Sequence, residues 1–209
     1  GIDGGGMDDL LGLAILGRDR ETRDWLLYTH AWVHRKVLEN RKEIAPALLD
    51  FVNEETLTIY DMPGDDVDEL VEIVMQFEDA GLLPAKSAIG VDAVGISEIT
   101  DALEQRGITV ESEKIVGVTQ GWKLANTIKT TARRLAAGTM KHGGQRLMNW
   151  CVGNAKVELR GNALLITKQT AGSAKIDPLM ATFNAVALMS RNPEAATYIY
   201  KDERELRFI

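Results

Sequence analysis

Three aspartates stand in three different local contexts. Asp3 lies in the opening Gly1-Ile2-Asp3-Gly4-Gly5-Gly6, and Asp92 ends the apolar run Ala88-Ile89-Gly90-Val91-Asp92. Asp177 follows Lys175-Ile176 and opens an apolar run from Pro178 to Met189. Two acids at strand positions and one at the mouth of a helix, far apart in sequence, can converge in a fold. Carboxylates gathered that closely repel one another and stay ionised only if cations occupy the site. Hydrolysis of a phosphodiester needs an activated water, a stabilised phosphorane-like charge and a stabilised leaving oxygen. Two hard cations about 4 Å apart supply all three. Such ions take oxygen ligands, so Asp suits them better than His or Cys. Each acid also has a plain structural reading. Asp3 before three glycines is a turn residue, Asp92 caps the following segment, and Asp177 before Pro178 is a helix N-cap. Asp8 and Asp9 either add a ligand beside Asp3 or belong to a turn.

The elements that must position these acids follow an α/β pattern. Ile2–Gly4 reads as a short strand, Leu11–Leu16 as a second ending in a turn over 17–20, and Asp24–Val33 as a third. Short polar turns between them predict an antiparallel meander. Residues 35–53 have helical spacing interrupted by Pro46, and Leu57–Tyr60 is a short strand. After Pro63-Gly64, with Asp65 or Asp66 as cap, the residues Val67, Leu70, Val71, Val74, Met75 and Phe77 recur at helical spacing up to Gly81. Ala88–Val91 has the continuous apolar character of a strand inside a sheet. Helices over 97–105 and 124–137 flank a strand at 114–118. A short helix is expected over 144–152. Strands at 156–159 and 164–167 flank Arg160-Gly161-Asn162, a hairpin turn, and a last helix covers 177–190. The pattern predicts an α/β fold, a mixed sheet with three antiparallel first strands, flanking helices and an added β-hairpin, consistent with the ribonuclease H-like architecture.

At 209 residues the chain is long enough to bury a sizeable core in one domain. With 45% hydrophobic and 26% charged residues, it has an ordinary globular composition. No apolar run reaches the length of a membrane span, and no signal peptide is visible. The single cysteine, Cys151, forms no internal disulfide and no metal cluster; a buried thiol in an intracellular protein is expected. The chain starts on a strand with no initiator Met, the pattern of a domain excised from a longer protein. The net charge of −7 argues against nucleic acid, but its distribution argues otherwise. Residues 54–79 carry ten acids and no Lys or Arg, whereas residues 114–176 carry eleven Lys and Arg against Glu158 alone. Much of the acidic run suits the N-terminal dipole of a helix. The basic run is either a solvated face or a surface that grips phosphates.

Several motifs, in order, resemble the C-terminal nuclease domain of phage large terminase subunits. They are Gly1-Ile2-Asp3 with Asp8 or Asp9 after it, Ile89-Gly90-Val91-Asp92 followed by a helix end at Leu103…Gly107, and Gly138-Thr139-Met140-Lys141-His142-Gly143-Gly144 with Asn149-Trp150 and Asn154. Lys168 and Lys175-Ile176-Asp177-Pro178…Ala181 complete the set. The resemblance implies a nuclease domain over 1–191, a C-terminal tail over 192–209, and an ATPase motor N-terminal to it in the full protein. No Gly-x-x-x-x-Gly-Lys-Ser/Thr loop is present in this chain. It assigns Asp3, Asp92 and Asp177 as metal-binding catalytic residues for two Mg²⁺ or Mn²⁺ ions. The general fold makes Asp3 the bridging ligand, Asp92 the leaving-group side and Asp177 the nucleophile side. Lys141, His142, Lys168 and Lys175 become contacts to double-stranded DNA, and the hairpin over 156–167 steers or blocks that DNA. The implied partners are the motor, the portal and the small terminase subunit, and the implied location is the host cytoplasm. Trp122 and Trp150 can stack on bases, with core packing the favoured reading of both. Other readings are a ribonuclease H or junction resolvase, and a DNA- or portal-docking module without activity. Asp-Gly-Gly-Gly also resembles the first phosphate loop of actin-like kinases, but no second such loop is found.

Overall fold

The computed structural model describes residues 1–93, 97–161, 163–169 and 173–194. The strands are β1 (Ile2–Gly4), β2 (Leu10–Arg18), β3 (Trp25–His34), β4 (Leu57–Tyr60), β5 (Ile89–Asp92), β6 (Ile115–Val118), β7 (Met140–His142), β8 (Ala155–Arg160) and β9 (Ala163–Lys168). The helices are α1 (Arg35–Asn40), α2 (Ala45–Asn53), α3 (Asp65–Asp79), α4 (Ser97–Gln105), α5 (Ala125–Ala136), α6 (Arg146–Gly153) and α7 (Asp177–Met189). Seven strands form one sheet in the order β4-β3-β2-β1-β5-β6, with β7 pairing β3, and β8-β9 is a separate hairpin. The first three strands are antiparallel, and β4, β5, β6 and β7 join in parallel. This is the mixed, meander-led sheet that the sequence predicts.

The periodicity of β2 shows how the layers are built. Leu11 and Leu13 enter the core on one face with Trp32, Leu70, Val71 and Leu103, under α3 and α4. Leu10 faces the opposite core with Val33, Phe51, Leu147 and Phe183, under α1, α2, α5, α6 and α7. A strand covered on both faces needs apolar residues in both phases. Helix α7 is buried nearly all round, from Asp177 to Leu188, which explains why its sequence is apolar on every side rather than amphipathic.

α7 approaches the sheet along a seam of small residues. Ala14 packs on Ala181 and Ala185. A Cβ on Gly12 would lie 2.6 Å from the backbone of Asp177 and Pro178, and one on Gly90 would lie 3.0 Å from the Asn184 carbonyl. Any side chain at position 12 would therefore lift the start of α7, which carries Asp177. Gly12→Ala is expected to cost roughly 1–3 kcal/mol as an overpacked contact. Thermal melts would register the loss, and an unchanged melting temperature would show that the seam can relax.

Three boundaries differ from the sequence reading. β2 continues through Gly17 and Arg18, which pair with Leu26 and Trp25, so the turn follows rather than includes them. Pro46 divides the expected 35–53 helix, beginning α2 instead of kinking a longer one. Gly64, in the left-handed region at φ 99°, caps α3 in place of Asp65 or Asp66. Strand β7 is three residues long, too short for any periodicity to announce it. Asn162 of the hairpin turn, and residues 195–209 of the tail, lie outside the described residues. No helix among the described residues is long and apolar enough to cross a membrane.

Candidate metal-binding active site

The register brings the acids together. Ile2 pairs with Val91 across β1 and β5, and both side chains enter the α3–α4 core. The next residue on each strand, Asp3 and Asp92, must then face the other way, towards α7. Asp3 pairs with Gly12 on its other side, the glycine over which the backbone of Asp177 sits. A Cβ on Gly4 would fall 2.9 Å from Asp177 Oδ1. The three aspartates thus meet on one face, at the end of the two central strands.

Asp9 joins them and Asp8 does not. Lys168 Nζ lies 2.7 Å from Asp9 Oδ2 and 3.9 Å from Asp177 Oδ1, and Lys175 Nζ lies 3.1 Å from Asp9 Oδ1. Asp8 points outward to Arg41, whose NH2 lies 2.6 Å from Asp8 Oδ2. That guanidinium holds the exposed Asp8 carboxyl below its ordinary range.

Charge crowding shifts the protonation of the site. Burial, then Asp177 and Asp92, push the Asp3 carboxyl up to about 8. Burial, then Asp9, push that of Asp177 up to about 7. Burial also acts to raise Asp9, but its contacts with Lys168 and Lys175 outweigh that and hold it low. Burial opposes the Lys168 ammonium, yet Asp177, Asp9 and Asp3 raise its pKa overall. Lys168 therefore serves as an internal counter-ion among acids that would otherwise take up protons.

A polar frame fixes Asp3. Gln120 Nε2 donates to Asp3 Oδ1 at 2.9 Å and to Asn184 Oδ1 at 3.5 Å, while Asn184 Nδ2 donates to the Ile2 carbonyl at 2.8 Å. Sequence reading misses Gln120 and Asn184. Asn184 is a fully buried amide inside an apolar helix, and that mismatch is the signal that could have found it.

The donor set fits a hard divalent cation. All four candidate ligands are carboxylates, and Asp177 Oδ2 is buried without a hydrogen-bond partner, an acceptor that a cation would satisfy. As the side chains stand, no group of three or more acid, His or Cys residues among the described residues is placed to hold a metal ion; Lys168 pairs with two of the acids instead.

Two of the remaining sequence candidates lie elsewhere. Lys141 and His142 are on β7, which pairs with β3 at Leu26 and Leu27. Asp3 is aligned, through Gly12, with Ala31, so the acids and β7 stand at different ends of the sheet. The sequence reading gives Lys175 a DNA phosphate; the structure buries it at 2% exposure, with its ammonium donating to the Asp8 carbonyl and paired with Asp9. Much of the basic run is paired too: Lys114 with Glu78, Arg146 with Asp50 and Glu54, Lys156 with Glu158. Trp150 packs against Phe51, but Trp122 is 65% exposed, against the expectation of core packing. Asp177 is the first residue of α7, with Ile176 as cap, so it is not the N-cap of the structural reading.

Comparison with known proteins fits this geometry. Residues 25–192 match the model of the terminase large subunit, endonuclease domain. The chain belongs to this family. The matched span of the terminase nuclease domain contains Asp92, Lys168, Lys175 and Asp177, while Asp3, Asp8 and Asp9 precede it. The fold is similar to that in the crystal structure of the HK97 bacteriophage large terminase, with a TM-score of 0.68 and 21% identity over 88% of this chain. The terminase nuclease domain spans 38% of the length of that protein. No curated protein matches the sequence.

Proposed function

We propose that the chain is a metal-dependent endodeoxyribonuclease that cuts concatemeric viral DNA during genome packaging. The gathering of Asp3, Asp9, Asp92 and Asp177, with Asp177 Oδ2 buried and unpartnered, carries this reading, and family membership supports it. Asp3, Asp92 and Asp177, with Asp9 in place of Asp8, would hold two Mg²⁺ or Mn²⁺ ions. When bound, the ions supply an activated water and stabilise the charge that develops on the phosphate and leaving oxygen. Gln120 and Asn184 keep Asp3 in position, and the small-residue seam keeps α7 and Asp177 against the strands. Lys168 balances the acid charge and stands ready to move towards a phosphate. The substrate is double-stranded DNA in the host cytoplasm. The nuclease domain covers 1–191, and the full protein adds the ATPase motor and works with the portal and the small terminase subunit.

The test is cleavage of supercoiled plasmid in EDTA, Mg²⁺ and Mn²⁺, for wild type and Asp92→Ala. Nicking or linearisation is expected with metal, absent in EDTA and lost in the variant. Equal cleavage by the variant would sink the assignment of Asp92. No cleavage with any metal, repeated on the full-length protein, would favour a docking module, and preference for a branched or hybrid substrate would favour a resolvase or ribonuclease H. The logarithm of the DNA binding constant should fall linearly with the logarithm of salt concentration. A salt-independent affinity would contradict phosphate contact.

A further inference from the structure

The segment between β6 and α5 has an inner and an outer side. Gln120, on the inner side, donates to Asp3 at 2.9 Å. Two residues on, Trp122 is 65% exposed, and two residues span at most about 7 Å of chain. Lys123 Nζ stands 5.8 Å from the centre of the Trp122 ring. The exposure is not that of a frayed loop. Val118 before the turn and Leu124 within it are buried, the Gly121–Leu124 turn is helical, and it packs against β9, the strand that ends in Lys168. The structure therefore holds a large aromatic face in solvent, on a firm mount, beside a cation and next to the acid centre.

Scattered exposed apolar residues are common and mean little. A tryptophan differs when it stands with a lysine beside a centre read as acting on phosphodiesters. Its ring matches the face of a nucleobase of any sequence, and an ammonium matches the adjoining phosphate. A base inside a duplex is covered by its neighbours, so the matching ligand is an unstacked one.

We propose that Trp122 is a stacking platform for an unstacked nucleobase of the strand being cut, with Lys123 on the neighbouring phosphate. This rests on the nuclease reading of the site. Trp122 and Lys123 are substrate-positioning residues; they hold the strand within reach of Asp3 without touching the reacting atoms. Because every base has a face to offer, the contact adds grip and not sequence preference.

The test is equilibrium binding of a single-stranded oligonucleotide in EDTA, which removes cleavage, with tryptophan fluorescence as a second readout. Wild type, Trp122→Ala and Trp122→Phe are compared, each with an intact oligonucleotide and with one carrying abasic sites. The intact oligonucleotide should quench the emission of wild type and not that of Trp122→Ala, since Trp25 and Trp32 are buried and Trp150 packs against Phe51. Trp122→Ala should weaken binding by roughly 5- to 150-fold, the range for one stacked base. Trp122→Phe should recover most of that loss, and the abasic oligonucleotide should bind wild type and Trp122→Ala alike. Unchanged affinity in Trp122→Ala, equal weakening by Phe and Ala, or a loss that persists with abasic sites would each overturn the proposal. If wild type cleaves plasmid with metal but shows one of these results, the stacking proposal fails alone. If wild type neither binds DNA nor cleaves it, the nuclease reading fails and takes this proposal with it.

Discussion

Asp3→Asn should abolish metal-dependent cleavage and, at the same time, stabilise the metal-free protein at neutral and alkaline pH. On the proposed two-metal reading, loss of the Asp3 carboxylate would remove several kcal/mol of charge stabilisation, a drop of roughly a thousandfold or more in rate. The stability gain has the opposite origin. Burial, Asp177 and Asp92 lift the folded-state pKa of Asp3 to about 8 from an ordinary 3.8. Between those values the folded state binds the proton more tightly than the unfolded state, so this residue makes stability fall as pH rises from about 4 to 8. Asparagine resembles the protonated acid and keeps an oxygen for the Gln120 amide, but has no charge to desolvate. The advantage of the variant should be near zero at pH 4 and reach roughly 3–5 kcal/mol above pH 8, at about 1.4 kcal/mol per unit discounted for solvent entering the site. Melts of both proteins across that range, in EDTA, check it. Adding Mn²⁺ should narrow the gap by stabilising wild type, by about 2.7 kcal/mol at a hundred times its dissociation constant. A stability difference that does not grow with pH would mean that Asp3 is ionised without strain, and the crowding account would fall.

The same crowding separates what sequence could reveal from what it could not. The three acids stand out in sequence because Asp3 precedes a run of three glycines, Asp92 ends the apolar run of β5 and Asp177 opens the apolar run of α7. The meander, the hairpin and the buried last helix follow from alternation, turn residues and uniform apolarity, and the structure has all three. The choice between Asp8 and Asp9 could not be read. Adjacent residues of a turn point in different directions, and only the positions of Arg41, Lys168 and Lys175, all distant in sequence, decide which carboxylate turns inward. Charge counting misplaced the basic residues for a similar reason. The run over 114–176 looks unopposed along the chain, yet Lys114 and Arg146 find acids from 50–78 in space. Gln120 is equally silent in sequence, and Trp122 reads there as a core residue first and a stacking residue second. Their roles come from one turn being anchored on both flanks, which leaves one side chain facing the acids and the other facing water.

Lys168→Met should tighten Mn²⁺ binding while weakening the metal-free fold, because one ammonium now does part of what the cations would do. Lys168 sits 2.7 Å from Asp9 and 3.9 Å from Asp177, so a cation approaching those oxygens meets a like charge and must displace it. Methionine keeps most of the apolar stem and removes the charge. Without metal, Asp9 loses its nearer counter-ion and Asp177 is left more crowded. The variant should lose about 1–3 kcal/mol at pH 8, less than a fully buried pair would cost because Lys168 is partly exposed. The part of the loss owed to Asp177 should shrink towards pH 4, as that acid protonates through about 7, while the part owed to Asp9, which stays low, should persist there. With metal, removing the competing charge should raise Mn²⁺ affinity by about tenfold, a difference of about 1.4 kcal/mol. Titration calorimetry reads the affinity and melts in EDTA read the stability. The two changes must appear together, since both come from one charge in one place. Tighter binding with no loss of apo stability would mean that Lys168 only obstructs the site, and loss of stability with unchanged affinity would mean that it turns away before the metal arrives.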